Sequence, residues 1–215
     1  MKRLVIFDLD GTLLNTVDDL GDAVNHALER HGFPEHPLGA YQLMVGNGVR
    51  RLIERAIPSE ARAEKVVDRL LESFKEYYND HMCDRTVPYP GIQPLLEELA
   101  DRGVRVAVAS NKYESAVRHL ISHFFPAVEF ASVCGQIEGY PPKPDPSIVF
   151  RVLTEAPTPK AEVLYAGDSA IDIETARRAC VDSVAVTWGF RPIHELTAAN
   201  PTHLVNSAAE LLSLV

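Results

Sequence analysis

The chain has 215 residues, of which 46% are hydrophobic and 24% charged, the proportions of a soluble globular protein and not of a disordered, collagen-like or repeat chain. A formal net charge of −9 with no basic run argues against a nucleic-acid surface. It also means that an anionic ligand needs a metal ion or well-placed lysines to reverse the local field. No apolar stretch is long enough to cross a bilayer or to form the core of a signal peptide, so a cytoplasmic protein with no membrane partner is expected.

Residues 4–7, Leu-Val-Ile-Phe, form a continuous apolar run, the pattern of a strand buried on both faces. Asp8 interrupts it, and Asp10-Gly11 signals a turn. Thr16 then reads as the N-cap of a helix, with Asp18 and Asp19 in its first turn and Gly32 to end it; Val17, Leu20, Val24, Ala27 and Leu28 share one face. Two more helices are expected at about 49–57 and 60–79, with no strand between Thr16 and Arg85. The breaker-rich Val87-Pro88-Tyr89-Pro90-Gly91 marks a boundary.

Beyond it the rhythm alternates. Helix 92–102 leads to strand 104–109, helix 114–124 to strand 130–134, and a loop with Pro141, Pro142, Pro144 and Pro146 to helix 147–155. Strand 163–166, helix 171–180, strand 183–187 and a strand at 203–205 follow. This order predicts an α/β core with a parallel sheet covered on both faces, built from residues 1–15 and 87–215, and an all-helical insertion at 16–86. Cys83, Cys134 and Cys180 are scattered without zinc-ligand spacing and are expected to be reduced, packed thiols.

Three strands run into polar residues: Phe7 into Asp8, Ala109 into Ser110-Asn111, and Ala166 into Gly167-Asp168. Open parallel sheets bind ligands at the carboxyl ends of their strands, so one crevice can gather all three, although the same residues are common in ordinary turns. Asp8 and Asp10, two apart, start on one side of an extended chain, where paired carboxylates raise a pKa or recruit a cation. Asp168 and Asp172, one helical turn apart, are either further oxygen donors in a set suited to Mg2+ or a helix N-terminus lined with acids. Lys143, boxed in by prolines, is either a stiffly held cation for phosphate oxygens or a solvated loop lysine.

Taken in order, Phe7-Asp8-Leu9-Asp10-Gly11-Thr12, Ser110-Asn111, Lys143 and Gly167-Asp168-Ser169-Ala170-Ile171-Asp172 resemble the four motifs of the haloacid dehalogenase-like (HAD) superfamily. The helical segment resembles that family's cap. The resemblance implies a Rossmann-like three-layer core and a Mg2+-dependent phosphatase acting on a small phosphorylated metabolite. Asp8 would be the nucleophile that becomes an aspartyl-phosphate, and Asp10 the acid/base. Mg2+ would sit between Asp8, the Asp10 backbone carbonyl and Asp168, with Asp172 close by. Lys143 and Ser110 would counter charge on the phosphoryl oxygens, and Gly11, Thr12 and Asn111 would join the substrate site. Asp10 separates the chain from true dehalogenases, which lack an acid two residues after the nucleophile.

Gly46-Asn47-Gly48, Ser110-Asn111-Lys112, Lys143-Pro144-Asp145-Pro146 and Trp188-Gly189 are similar to phosphoglycolate phosphatases in particular. On that reading Gly46, Asn47 and Gly48 let backbone approach a small substrate, and Arg50 or Arg51 meets its carboxylate. The plainer reading is a turn and helix cap followed by solvated arginines. Cys180 stands where relatives often carry glycine. A hexose-phosphate mutase of the β-phosphoglucomutase kind, a pyrophosphatase and a non-enzymatic phospho-receiver stay open on this scaffold, although Asp10 and the large insertion suit turnover better than a lasting phospho-state.

Overall fold

A computed structural model describes all 215 residues. In chain order the elements are β1 (Leu4–Phe7), β2 (Leu14–Asn15), α1 (Val17–Arg30), α2 (Val49–Ala56), α3 (Glu64–His81), β3 (Val87–Pro88) and α4 (Ile92–Asp101). Then come β4 (Arg105–Tyr113), α5 (Glu114–Phe124), β5 (Phe130–Gln136), α6 (Ser147–Glu155), β6 (Val163–Gly167) and α7 (Ala170–Ala179). The chain closes with β7 (Asp182–Val186), α8 (Ile193–Ala198), β8 (His203–Val205) and α9 (Ala208–Leu212).

Six strands form one parallel sheet in the order β5-β4-β1-β6-β7-β8. β1 is central, and its residues alternate between two cores, which is why its run is apolar throughout. Val5 and Phe7 join a core with Leu96 of α4, Leu120 of α5 and Leu211 of α9, whereas Leu4 and Ile6 join another with Val149 of α6 and Ala176 of α7. The result is the expected three-layer α/β fold. The chain winds one way from β1 to β4 and β5, then crosses back to β6, so the switch point falls at the carboxyl end of β1.

The first of these cores continues into the helical segment, through Leu20, Val24 and Leu28 of α1 and Val67, Leu70 and Phe74 of α3. At about 1.5–3 kcal/mol for each fully buried aliphatic or aromatic side chain, this shared interior helps hold the helices over the sheet. A two-stranded antiparallel ribbon, Leu14 opposite Pro88 and Asn15 opposite Val87, joins the two chain crossings.

Local details depart from the sequence reading where long-range partners compete. Thr16 precedes α1 but does not cap it; its hydroxyl donates to Asp10 Oδ1 at 2.7 Å instead. Asp19 is buried and accepts from Arg85 N–H, Thr86 N–H and the Thr86 hydroxyl, at 2.9, 2.8 and 2.7 Å. It fastens the start of α1 to the chain's return, a stronger use than a dipole charge. α3 begins at Glu64, after a short 3-10 turn at Ser59–Ala61, and a second 3-10 segment, Leu38–Leu43, was not anticipated. β4 extends past Ala109 to Tyr113, and α8 and α9 are additions. Cys134 is buried, but Cys180 is exposed and caps α7 in the left-handed conformation at φ 59°, so it is not a packed thiol. No helix is long and apolar enough to cross a membrane.

Candidate active site

The three strand ends converge. Asp8 follows β1, and its N–H still bonds Ala166 O of β6 at 2.9 Å, so its carboxylate leaves the sheet beside the ends of β4 and β6. Asp168 follows β6, and Asp172 stands in the first turn of α7. Ser169 caps that helix, and its N–H and hydroxyl donate to Asp172 Oδ2 at 3.1 and 2.6 Å, closing a capping box. One carboxylate oxygen from each of Asp8, Asp168 and Asp172 lies within 4.8 Å of the others, and all three residues are buried.

Glycines make room for this cluster. A Cβ on Gly11 would lie 2.2 Å from Asp168 Oδ2, and Gly11 has φ +84°. A Cβ on Gly189 would lie 2.3 Å from both Asp168 Cβ and Gly11 O. Both positions therefore exclude a side chain. From the same turn, Phe190 N–H donates to Asp168 Oδ2 at 2.6 Å.

Three buried carboxylates face one ammonium. Lys143 Nζ lies 2.7 Å from Asp172 Oδ1 and 3.0 Å from Asp8 Oδ1, and it donates to Ala109 O and the Tyr165 hydroxyl, each at 3.1 Å. Lys143 is thus no solvated loop lysine. Burial works against its charge, but Asp172 and Asp8 hold the ammonium well above the usual lysine range. One cation does not balance the acids. Burial, opposed by Lys143 and reinforced by Asp172 and Asp10, pushes Asp8 up to about 7. Burial, with Asp172 and Asp8 beside it, also carries Asp168 well above the carboxylate range. An oxygen-only cluster short of positive charge is the donor set a hard divalent cation takes, and these residues fit one.

The Asp10 carboxylate lies outside that cluster. Lys112 Nζ holds it at 2.9 and 3.1 Å, and the Thr16 hydroxyl at 2.7 Å. Ser110 is buried and accepts from Lys112 N–H at 3.3 Å, in a stretch where the β4–β5 register shifts between Ala109 and Tyr113. Such a bulge re-aims side chains at a sheet edge. The Asn111 amide is committed to structure: it donates to Gly46 O and Lys143 O at 3.1 and 3.2 Å and accepts from Lys143 N–H at 2.7 Å. It rivets the Lys143 loop and the Gly46 turn to the sheet. The Thr12 hydroxyl is buried without a partner, and Thr12 O accepts from Trp188 Nε1 at 3.0 Å.

Over Asp8, Asp10, Ser110 and Lys112 lies a cavity of about 30 Å3, walled on the helical side by Val45, Val49, Leu52, Phe74 and Tyr78. Gly46 and Gly48 line it, but Asn47 and Arg50 do not. Asn47 accepts from Arg55, Arg50 pairs with Asp68 at the surface, and Arg51 pairs with Glu54. Neither Arg50 nor Arg51, the residues expected to meet a substrate carboxylate, therefore lines the cavity. Leu52, Ile53 and Ala56 take the buried face of α2, which turns positions 50 and 51 outward. Sequence reasoning passed over Lys112, quoted only inside a triplet, and Tyr78, whose helical spacing reads as ordinary core.

A family model described as haloacid dehalogenase-like hydrolase matches residues 5–186. The phosphoglycolate phosphatase of Mesorhizobium japonicum is 34% identical over 195 residues, 90% of this chain and 86% of that one. That of Pseudomonas savastanoi pv. phaseolicola is 32% identical, over 99% of this chain and 79% of the relative. Among solved structures, a Lactobacillus delbrueckii subsp. bulgaricus protein provisionally assigned as a phosphoglycolate phosphatase superposes with a TM-score of 0.93 at 35% identity, covering 100% of this chain and 98% of the other.

Proposed function

The chain belongs to the haloacid dehalogenase-like hydrolase family, and on that premise we propose that it is a Mg2+-dependent phosphatase hydrolysing a small phosphate monoester through an aspartyl-phosphate on Asp8. The observation that carries this reading is Asp8 itself, buried between an acid cluster and Lys143 while opening, with Asp10, onto one cavity. Residues 16–86 would act as the cap and residues 1–15 and 87–215 as the catalytic core.

An Asp8 carboxylate oxygen attacks phosphorus, and the bond from phosphorus to the ester oxygen breaks. Asp10 gives its proton to that leaving oxygen, then takes one from the water that attacks the aspartyl-phosphate, which regenerates Asp8 and frees inorganic phosphate. Lys143 and the Ser110 hydroxyl meet charge on the phosphoryl oxygens. Asp8, Asp168 and Asp172, with the Asp10 carbonyl, are the groups that would hold Mg2+, whose chemistry is to neutralise charge between nucleophile and phosphoryl group. The names of the relatives and the smallness of the cavity support a few-carbon ester such as 2-phosphoglycolate over a sugar phosphate.

A panel of 2-phosphoglycolate, pyrophosphate and hexose phosphates with Mg2+ tests this. The expected result is release of inorganic phosphate from 2-phosphoglycolate, abolished by Asp8→Asn and by chelation. Interconversion of hexose phosphates without phosphate release would identify a mutase instead, and a long-lived phospho-protein without turnover a receiver.

A further inference from the structure

We infer that Lys112 and Tyr78 form a subsite that reads a second anionic group on the substrate, the carboxylate of a short phosphorylated acid. This rests on the phosphatase reading above and assigns the residues that would confer its selectivity.

Lys112 is the only cation lining the cavity. The arginines of α2, the helix that lends Val49 and Leu52 to the cavity wall, are all committed: Arg50 to Asp68, Arg51 to Glu54, and Arg55 to Met44 O and Asn47. The Lys112 side chain is 4% exposed, clasped by Asp10 on one side, with its ammonium 4.9 Å from the centre of the Tyr78 ring.

Tyr78 supplies the second, independent observation. It is fully buried, it lines the cavity, and its hydroxyl has no hydrogen-bond partner. Tyr113 lines the same cavity, but its hydroxyl donates to Asn79 at 2.8 Å. A phenol orphaned among Val49, Leu52 and Phe74 is costly unless a ligand completes it, and Phe would fill the same space without that penalty. Burial, with Asp10 and Asp19 beside it, holds the hydroxyl protonated, so it is a donor without an acceptor.

The geometry also limits substrate length. Asp10 serves the leaving oxygen, and Lys112 is one hydrogen bond from Asp10. A group that Lys112 can reach while the ester oxygen rests on Asp10 lies one or two carbons from that oxygen. A carboxylate there would accept from the ammonium and the phenol together. A neutral alkyl phosphate would leave the phenol orphaned.

The test compares 2-phosphoglycolate with ethyl phosphate, a two-carbon ester lacking the carboxylate, in the parent, Lys112→Met and Tyr78→Phe enzymes with Mg2+. Lys112 also braces Asp10, so the informative quantity is the ratio of kcat/KM for the two esters. That ratio is expected to fall on the order of 100-fold in Lys112→Met and about 10-fold in Tyr78→Phe, mainly through KM for 2-phosphoglycolate. Tyr78→Phe should melt no lower than the parent, because its hydroxyl makes no bond in the free protein. Equal losses for both esters, or a lowered melting temperature in Tyr78→Phe with an unchanged ratio, overturn the assignment. A parent that hydrolyses neither ester overturns the phosphatase reading as well.

Discussion

Asp172 gives one carboxylate oxygen to the helix that carries it and the other to Lys143, 2.7 Å away. A residue so divided orients the acid cluster as much as it contributes charge. Asp172→Asn keeps an acceptor for Ser169 but leaves Asp8 as the one carboxylate on Lys143. The Mg2+ concentration for half-maximal turnover should rise about 10- to 100-fold, as when a group orienting metal ligands is lost. Asp172→Ala should additionally destabilise the fold by about 1 kcal/mol through the lost cap. Mg2+ titrations and thermal melts of both variants separate the two effects, and identical Mg2+ curves for parent and Asp172→Asn would refute the role.

The raised Asp8 and Asp168 carboxyls set a pH dependence. A carboxyl whose folded pKa exceeds its unfolded value binds its proton more tightly when folded. Its contribution is fully present below the unfolded value of 3.8 and is lost as pH rises through about 7 for Asp8. Asp8 therefore makes the metal-free protein less stable at about pH 8 than at about pH 5.5, and Mg2+ should raise Tm more at the higher pH, where the Asp8 carboxyl has lost its proton. Melts in chelator and in Mg2+ at the two pH values check the sign. A larger Mg2+ shift at the acidic pH would contradict it.

Gly11→Ala places a methyl group on Asp168 Oδ2 in a backbone conformation that alanine resists. Activity is expected to fall at least about 100-fold, with a stability loss of about 1–3 kcal/mol. Near-parental kcat would show that Asp168 can move without consequence.

Arg50→Ala removes only a surface ion pair with Asp68. The expected change in stability is under about 1 kcal/mol, with kcat/KM for 2-phosphoglycolate within about threefold of the parent. A large rise in KM would restore the arginine to the substrate site.

Cys180 pays a conformational penalty at φ 59° while exposed. Cys180→Gly should stabilise the protein by about 0.5–1 kcal/mol, or a Tm gain of about 1–4 °C for a chain of this size. An unchanged or lowered Tm would refute it.

The order of apolar runs and their polar ends was enough, without coordinates, to predict the α/β core and to point to the carboxylates that gather at its strand ends. Local rules govern each of these: a strand buried on both faces must be apolar, and Asp8 and Asp168 are conspicuous because they stop such strands. Only the family resemblance, and no local rule, marked Cys180 as standing where relatives often carry glycine; the residues alone suggested a packed thiol, and it is exposed. Contacts between residues far apart in the chain were not legible. Lys112 meets Asp10 across 102 positions, Asp19 meets Thr86 across 67, and Thr16 turns from its helix to Asp10. Helical spacing marks Tyr78 as core and says nothing of its unpaired hydroxyl, and adjacency to Gly48 suggests an inward Arg50 that the rotation of α2 sends outward. Sequence therefore singled out the carboxylates that the structure brings together, through rules acting over a few residues. Which groups surround the cavity depended on how the helical segment settles on the sheet, a matter of long-range packing that only the tertiary structure decided.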